Sequence, residues 1–214
     1  MIVKVSGLVK KLYPNRIWNG RPDGKRLYLS FDDGPIPDVT PWVLQQLEKY
    51  DAKATFFCIG ENINKHPEVF KKVLSAGHRF GNHTYNHLNG WKTPFQQYID
   101  NAQKAQREMD LHFKENEPPL FRPPYGKITN RQAKQLSKLG FKIVMWDVLS
   151  VDYGANVSAK VCLQNVLENA VPGSIIVFHD SLKAEKNLRE VLPKVLDHFS
   201  NLGFKFERLE KSNF

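Results

Sequence analysis

Apolar residues in this chain change their spacing repeatedly, and that alternation is what most limits the folds open to it. Strand-like runs occur at RLYLSF (26–31), ATFFCI (54–59), HRFGNH (78–83), LFRP (120–123), KIVMWDV (142–148), SIIVFH (174–179) and KFERL (205–209). Between them lie segments with apolar residues three and four apart. Residues 40–50 carry Trp42, Val43, Leu44 and Leu47, with Thr40 as the expected cap and Pro41 at the first helical position. Residues 66–78 carry Val69, Phe70, Val73 and Leu74 and stop at Gly77. NRQAKQLSKLG repeats the design and stops at Gly140; AEKNLREVLPKVLDHFSNLG stops at Gly203, with Pro193 marking a start or a kink. SAKVCLQNVLENA adds another helix. Strands alternating with helices of about 10–15 residues imply βαβ units and a mainly parallel sheet. Several runs are apolar on both faces, as helices covering both sides of a sheet require. An open doubly wound sheet and a barrel both meet this pattern.

At 214 residues, with no linker, fixed-period repeat or low-complexity stretch, the chain reads as one domain over 26–214, preceded by an N-terminal extension over 1–25. KENEPPL (114–120) is its most loop-like part. No run approaches the roughly 20 apolar residues of a membrane span. Lysines at positions 4, 10 and 11 interrupt the N-terminus, and no h-region or cleavage site follows. The expectation is a cytoplasmic protein. Cys58 and Cys162 lie in an apolar run and a helix, so both are expected to be buried free thiols. The net charge of +9 comes from dispersed lysines and arginines with no basic block, which argues against a nucleic-acid partner.

Parallel α/β folds gather their ligands at the carboxyl ends of the strands. Polar residues concentrate there in this chain. Asp32 and Asp33 follow the first strand, and His83 and His87 the third. Arg122 and Tyr125 follow the fourth, Asp147 and Asp152 the fifth, and His179 with Asp180 the sixth. His83 and His87 share a helix face, or meet across a tight loop, within reach of one ion. Two imidazoles and a strand-end carboxylate leave a coordination position open for water, whose pKa such an ion lowers. One aspartate would bind the ion and the other take the proton of the water. Asp-Asp-Gly-Pro is also a turn sequence, and a bent chain fits both uses.

SFDDG, HTYNH, RPPYG, WDVLSVDY and IIVFHD resemble, in this order, the five signature motifs of polysaccharide deacetylases with the NodB homology domain, carbohydrate esterase family 4. The resemblance runs from about Leu27 to Asp180 and implies a distorted (β/α)7 barrel. It also implies a divalent metal, most often zinc with cobalt or nickel as substitutes, and an acetylated carbohydrate as substrate. Carried over residue by residue, it makes Asp32 the catalytic base, with Asp33, His83 and His87 as metal ligands. Arg122 holds the base, and the backbone N–H of Tyr125 binds the oxyanion. His179 is the general acid oriented by Asp152. Tyr153 and Val177 line the acetyl pocket.

This chain departs from the family's usual pattern at three places. Tyr153 stands where Trp is common, Leu149 where another Asp is common, and Val177 where Leu is common. Each bears on the substrate and removes no catalytic group. Asp147 is open between a support behind the site residues and a strand-end cap, with the cap favoured, and Asp180 is expected as a structural or capping residue. Trp91 is open between sugar stacking and loop packing. The expected activity is hydrolysis of an N-acetyl, or O-acetyl, group on a poly- or oligosaccharide. The alternatives are another small-molecule amide on the same barrel and a catalytically silent glycan-binding module.

Overall fold

A computed structural model of the chain describes residues 2–113 and 117–214. The strands are β1 (Arg26–Asp32), β2 (Thr55–Cys58), β3 (Arg79–Asn82), β4 (Leu120–Phe121), β5 (Lys142–Ile143), β6 (Val148–Leu149), β7 (Ile175–His179) and β8 (Lys205–Phe206). The helices are α1 (Gly7–Leu12), α2 (Val39–Glu48), α3 (Gly60–Lys65), α4 (Pro67–Ser75), α5 (Phe95–Asp110), α6 (Asn130–Lys138), α7 (Ala159–Leu167) and α8 (Glu185–Asn201). The sheet runs β5-β4-β3-β2-β1-β7-β6, every pair parallel, and β8 pairs with the first residues of β1. This curled sheet is a distorted (β/α)7 barrel.

Alternation along the strands sorts side chains into two layers. In β1, Leu27, Leu29 and Phe31 point outward into the main core under α2, α4, α7 and α8. Phe31 stacks on its strand neighbours Phe56 and Phe178, at centroid distances of 5.0 and 6.1 Å. The intervening Tyr28 points inward with Phe57, Leu120, Val144 and Ile175. Ser30 and Asp32 share that inner face, so the barrel interior turns from apolar to polar toward the ends of its strands.

The residues before β1 close the seam between the two end strands. Val5 N–H donates to Asp147 O (3.0 Å) and Leu149 N–H to Val3 O (2.9 Å), beside β6. Ile17 N–H donates to Ile143 O (2.8 Å) and Met145 N–H to Ile17 O (2.7 Å), beside β5. Asp147 anchors this segment. It is fully buried and paired with Lys4 (2.5 Å), with Lys10, and with the hydroxyl of Ser174 (2.5 Å). The carboxylate expected as a strand-end cap is therefore the centre of an ion-pair network.

The structure corrects several sequence expectations. KIVMWDV forms two short strands, because β5 and β6 belong to opposite edges of the sheet and Met145–Asp147 cross between them. Helix α2 starts at Val39 after Asp38, so Thr40 lies inside it rather than capping it. Pro193 sits within α8, which continues through it. Helix α5 was not apparent in the sequence: its buried stripe, Tyr98, Ile99, Ala102, Ala105 and Met109, relies on small residues in a polar segment. Gly77, Gly140 and Gly203 do end helices with φ of 74, 93 and 78°. Both cysteines are buried and free. Residues 114–116 of the expected 114–120 loop lie outside the described residues. Among the described residues, no helix is long and apolar enough to cross a membrane.

Replacing Lys4 and Lys10 together by Met would strand the Asp147 carboxylate without a cation. An uncompensated buried charge costs about 3–5 kcal/mol. A urea titration should show that loss, and a loss below about 1 kcal/mol would contradict the anchoring role.

Candidate active site

Asp32 ends β1 on the inner face, and the chain then turns sharply. Asp33 takes a φ of 84°, a left-handed conformation that costs a non-glycine residue strain. The turn is held from three sides. Asp33 N–H donates to Phe57 O (3.3 Å), Asn62 Nδ2 donates to Asp33 O (2.8 Å), and Gly34 N–H donates to Asp180 Oδ1 (3.0 Å). Only glycine fits at 34, because a Cβ there would overlap the Asp180 carboxyl group. Thr40 Oγ1 accepts from Ile36 N–H (2.8 Å) and donates to Asp180 Oδ2 (2.6 Å). Asp180 is buried, and that burial pushes its carboxyl up to about 8, so it is mostly neutral at pH 7. It supports the turn without adding full negative charge.

Arg122, just past β4, is fully buried. Its Nη1 donates to Asp32 Oδ1 (2.7 Å) and Ser30 Oγ (2.7 Å), and Nη2 to Met145 O (2.9 Å). The guanidinium also lies 4.0 Å from the Phe57 ring centroid. These contacts fix Oδ1 of Asp32 while Oδ2 lies 4.0 Å from His83 Nε2. The backbone carbonyl of Arg122 completes the arrangement by hydrogen bonding His83 Nδ1 (2.8 Å). That contact makes Nδ1 the protonated nitrogen and leaves the Nε2 lone pair facing the carboxylates.

His83 and His87 meet across a loop, not along a helix face. Thr84 and His87 have φ of 63 and 54°, and the loop is tied by Thr84 N–H to Asn82 Oδ1 (2.9 Å) and Leu88 N–H to Thr84 Oγ1 (3.0 Å). Asp33 Oδ1 lies 3.2 Å from His87 Nε2 and 3.7 Å from His83 Nε2. This carboxylate oxygen is buried and has no well-formed hydrogen bond, so three ligand atoms converge on one spot with one of them unsatisfied. Burial pushes His83 down to about 4 and keeps it a neutral imidazole at pH 7. Burial pushes the Asp33 carboxyl up, but His87, His179 and His83 outweigh it and hold the group well below the usual carboxylate range. Two imidazole nitrogens and an ionised carboxylate are the donor set of an open zinc-type site.

The other wall is built on β7. Its register sets His179 directly beside Asp32. Asp152 grips His179 twice, through Oδ1 to Nδ1 (2.7 Å) and Oδ2 to the backbone N–H (2.8 Å). Burial pushes His179 down, yet Asp152 reverses this, with Asp33 and Asp32 adding to it, and the imidazole rises to about 9. Tyr153 packs edge-on to His179 at 4.7 Å, and Val177 joins Leu149 and Val151 in a small apolar wall. Tyr125, with a φ of 60°, sets its exposed ring 4.6 Å from that of His87.

The structure thus gathers Asp32, Asp33, His83, His87, Arg122, Tyr125, Asp152, Tyr153, Val177 and His179 around one cleft, while Asp147 lies apart, tied to the N-terminal segment. Ser30 and Asn62 escaped the sequence reading, and Thr40 was read only as a helix cap. Each reaches the site through a hydrogen bond to a partner distant in sequence, Arg122 for Ser30, Asp33 for Asn62 and Asp180 for Thr40, and common polar residues carry no local signal for that.

Comparison with known proteins places this cleft in context. The sequence profile of the polysaccharide deacetylase family matches residues 19–144. A peptidoglycan-N-acetylglucosamine deacetylase of Bacillus cereus is 36% identical over 182 residues, covering 85% of this chain and 66% of that protein. The crystal structure of the Bc1960 peptidoglycan N-acetylglucosamine deacetylase superposes with a TM-score of 0.87 at 32% identity, covering 96% of this chain and 95% of that one. A Bacillus anthracis protein described as a CE4 family pseudoenzyme also shares the fold, with a TM-score of 0.81 at 25% identity, covering 91% of this chain and 67% of that one.

The turn geometry makes a direct prediction. Asp180→Ala removes the acceptors of Gly34 and Thr40 and should cost about 1–3 kcal/mol. Asp180→Asn keeps an acceptor for Gly34 N–H and offers an N–H to Thr40 Oγ1 in place of an acceptor, and should recover more than half of it. Thermal unfolding of the two variants measures this, and equal losses would refute the proposed support.

Proposed function

The chain belongs to the polysaccharide deacetylase family, and from that premise we propose that it hydrolyses N-acetyl groups on N-acetylglucosamine residues of a glycan, using a divalent cation held by Asp33, His83 and His87. The observation that carries this reading is the convergence of three separately supported units on one cleft: the Asp33–His83–His87 cluster, the Arg122–Asp32 pair and the Asp152–His179 pair. Such a cation supplies Lewis-acid polarisation of the acetyl carbonyl and an acidified water; the N₂O donor set favours zinc, with cobalt or nickel as substitutes.

The protein groups then divide the proton transfers. Asp32 Oδ2 is the oxygen not held by Arg122, and it takes the proton of the attacking water. Arg122 keeps that carboxylate in place and balances its charge. As the water oxygen bonds to the acetyl carbon, the Tyr125 backbone N–H stabilises the developing oxyanion; one such donor is worth about 3–4 kcal/mol. His179, charged at neutral pH, delivers its Nε2 proton to the departing nitrogen while the C–N bond breaks, leaving acetate and a free amine. An amine departs poorly without a proton, so a strongly held imidazolium suits an N-acetyl group better than an O-acetyl ester. Val177 and Tyr153 line the pocket for the acetyl methyl.

A silent glycan-binding module with this fold would be expected to lack part of the acid–base set. Here Asp32 is hydrogen bonded to Arg122 and His179 to Asp152, so both candidate acid–base groups are present and held, which favours turnover.

Acetate release from N-acetylglucosamine oligomers should stop on chelation and return with zinc or cobalt; full activity in chelator would contradict the cation's role. Asp152→Asn removes the charge that raises the His179 pKa. The alkaline limb of the kcat/KM profile should therefore move to lower pH by at least one unit, with kcat down about 10²-fold. An unmoved profile would rule out His179 as the acid oriented by Asp152.

A further inference from the structure

Trp91 is 65% exposed, yet it sits in a fixed loop rather than a free one. Its indole N–H donates to Ile128 O (3.3 Å) and its backbone N–H to Asn89 Oδ1 (3.0 Å). Thr93 Oγ1 donates to Asn89 O (2.8 Å), bracing the same turn. Gly90 N–H donates to Lys127 O (3.1 Å), and the buried Gln132 donates to Gly90 O (2.9 Å). Residue 90 has no room for a Cβ against Lys127 O and Gln132 Oε1, so the loop is pressed onto the segment 127–132. That segment continues directly from the turn that carries Tyr125, whose ring packs on His87.

This loop is close to the chemistry. Trp91 lies four residues after His87, which limits their Cα separation to about 14 Å. An exposed Trp held by its own N–H offers a large planar apolar face with little side-chain freedom left to lose on binding. Such a face matches the C–H surface of a pyranose ring. Lys127 Nζ lies over one face of the ring, 5.5 Å from its centroid, which leaves the opposite face for the sugar and a cationic hydrogen-bond donor beside it.

We propose that Trp91 is a sugar-stacking platform beside the cleft, which binds a neighbouring residue of the glycan chain and makes the protein selective for oligomers over short substrates. The inference rests on the deacetylase reading for the identity of the chain and adds a subsite to it.

The test compares acetate release from di-N-acetylchitobiose and penta-N-acetylchitopentaose (below, chitopentaose) in the wild type, Trp91→Ala and Trp91→Phe. The preference in kcat/KM for chitopentaose should fall about tenfold in Trp91→Ala, through KM with kcat nearly constant. Trp91→Phe should restore most of it. Equal losses on both substrates, or no loss on chitopentaose, would overturn the platform. Calorimetric binding of chitopentaose to Asp32→Asn, with and without Trp91→Ala, reads the subsite without turnover. Absence of acetate from every substrate, with tight binding lost only in the Trp91 variant, would sink the deacetylase reading and support the platform. Binding unaffected by Trp91→Ala, with acetate still released by the wild type, would overturn the platform and leave the deacetylase reading standing.

Discussion

The buried guanidinium of Arg122 is the contact on which the rest of the cleft depends. A desolvated cation is costly, and the fold offsets that cost with Asp32, Ser30, the Met145 carbonyl and the Phe57 ring face. The same residue orients His83 through its own carbonyl, which accepts from His83 Nδ1. One residue therefore sets both the free oxygen of Asp32 and the lone pair of a candidate ligand. Moving Arg122 would disturb two functional groups at once. Lysine, lacking the planar fork, could not reproduce its three hydrogen bonds.

Three carboxyl groups crowd the end of β1, and each meets its charge differently. Asp32 faces Arg122. Asp33 faces the imidazoles and stays ionised despite its burial. Asp180, with hydrogen bonds but no cation, is pushed toward its neutral form and braces the turn that separates the other two. On the far wall, Asp152 pushes His179 the opposite way and keeps it charged. Titratable groups driven apart in this manner are the mark of assigned acid and base roles. They also explain how neighbouring aspartates coexist at a strand end.

The sequence revealed the site more fully than the fold around it. Catalytic residue types at strand ends, in a fixed order, are local signals, and Asp32, His83, Arg122 and His179 were readable for that reason. Gly77, Gly140 and Gly203 were readable because a left-handed residue beyond a helix leaves few alternatives. What stayed hidden was set by tertiary contacts. The break between β5 and β6 depends on where the sheet's edges lie, and α5 buries alanines that carry little apolar signal. Asp147 looked like a cap because its partners, Lys4 and Lys10, are more than 130 positions away. The loop connecting His83 and His87 could not be told from a helix by spacing alone.

The central claim is that adjacent aspartates do separate work, one holding a cation and the other moving a proton. Zinc affinity and acetate release measured side by side in Asp32→Asn and Asp33→Asn test it most directly. Asp32→Asn should bind zinc nearly as the wild type does while turnover falls about 10²- to 10⁴-fold. Asp33→Asn should lose zinc affinity itself. If Asp32→Asn keeps its turnover, or both variants lose zinc equally, the division of labour is wrong.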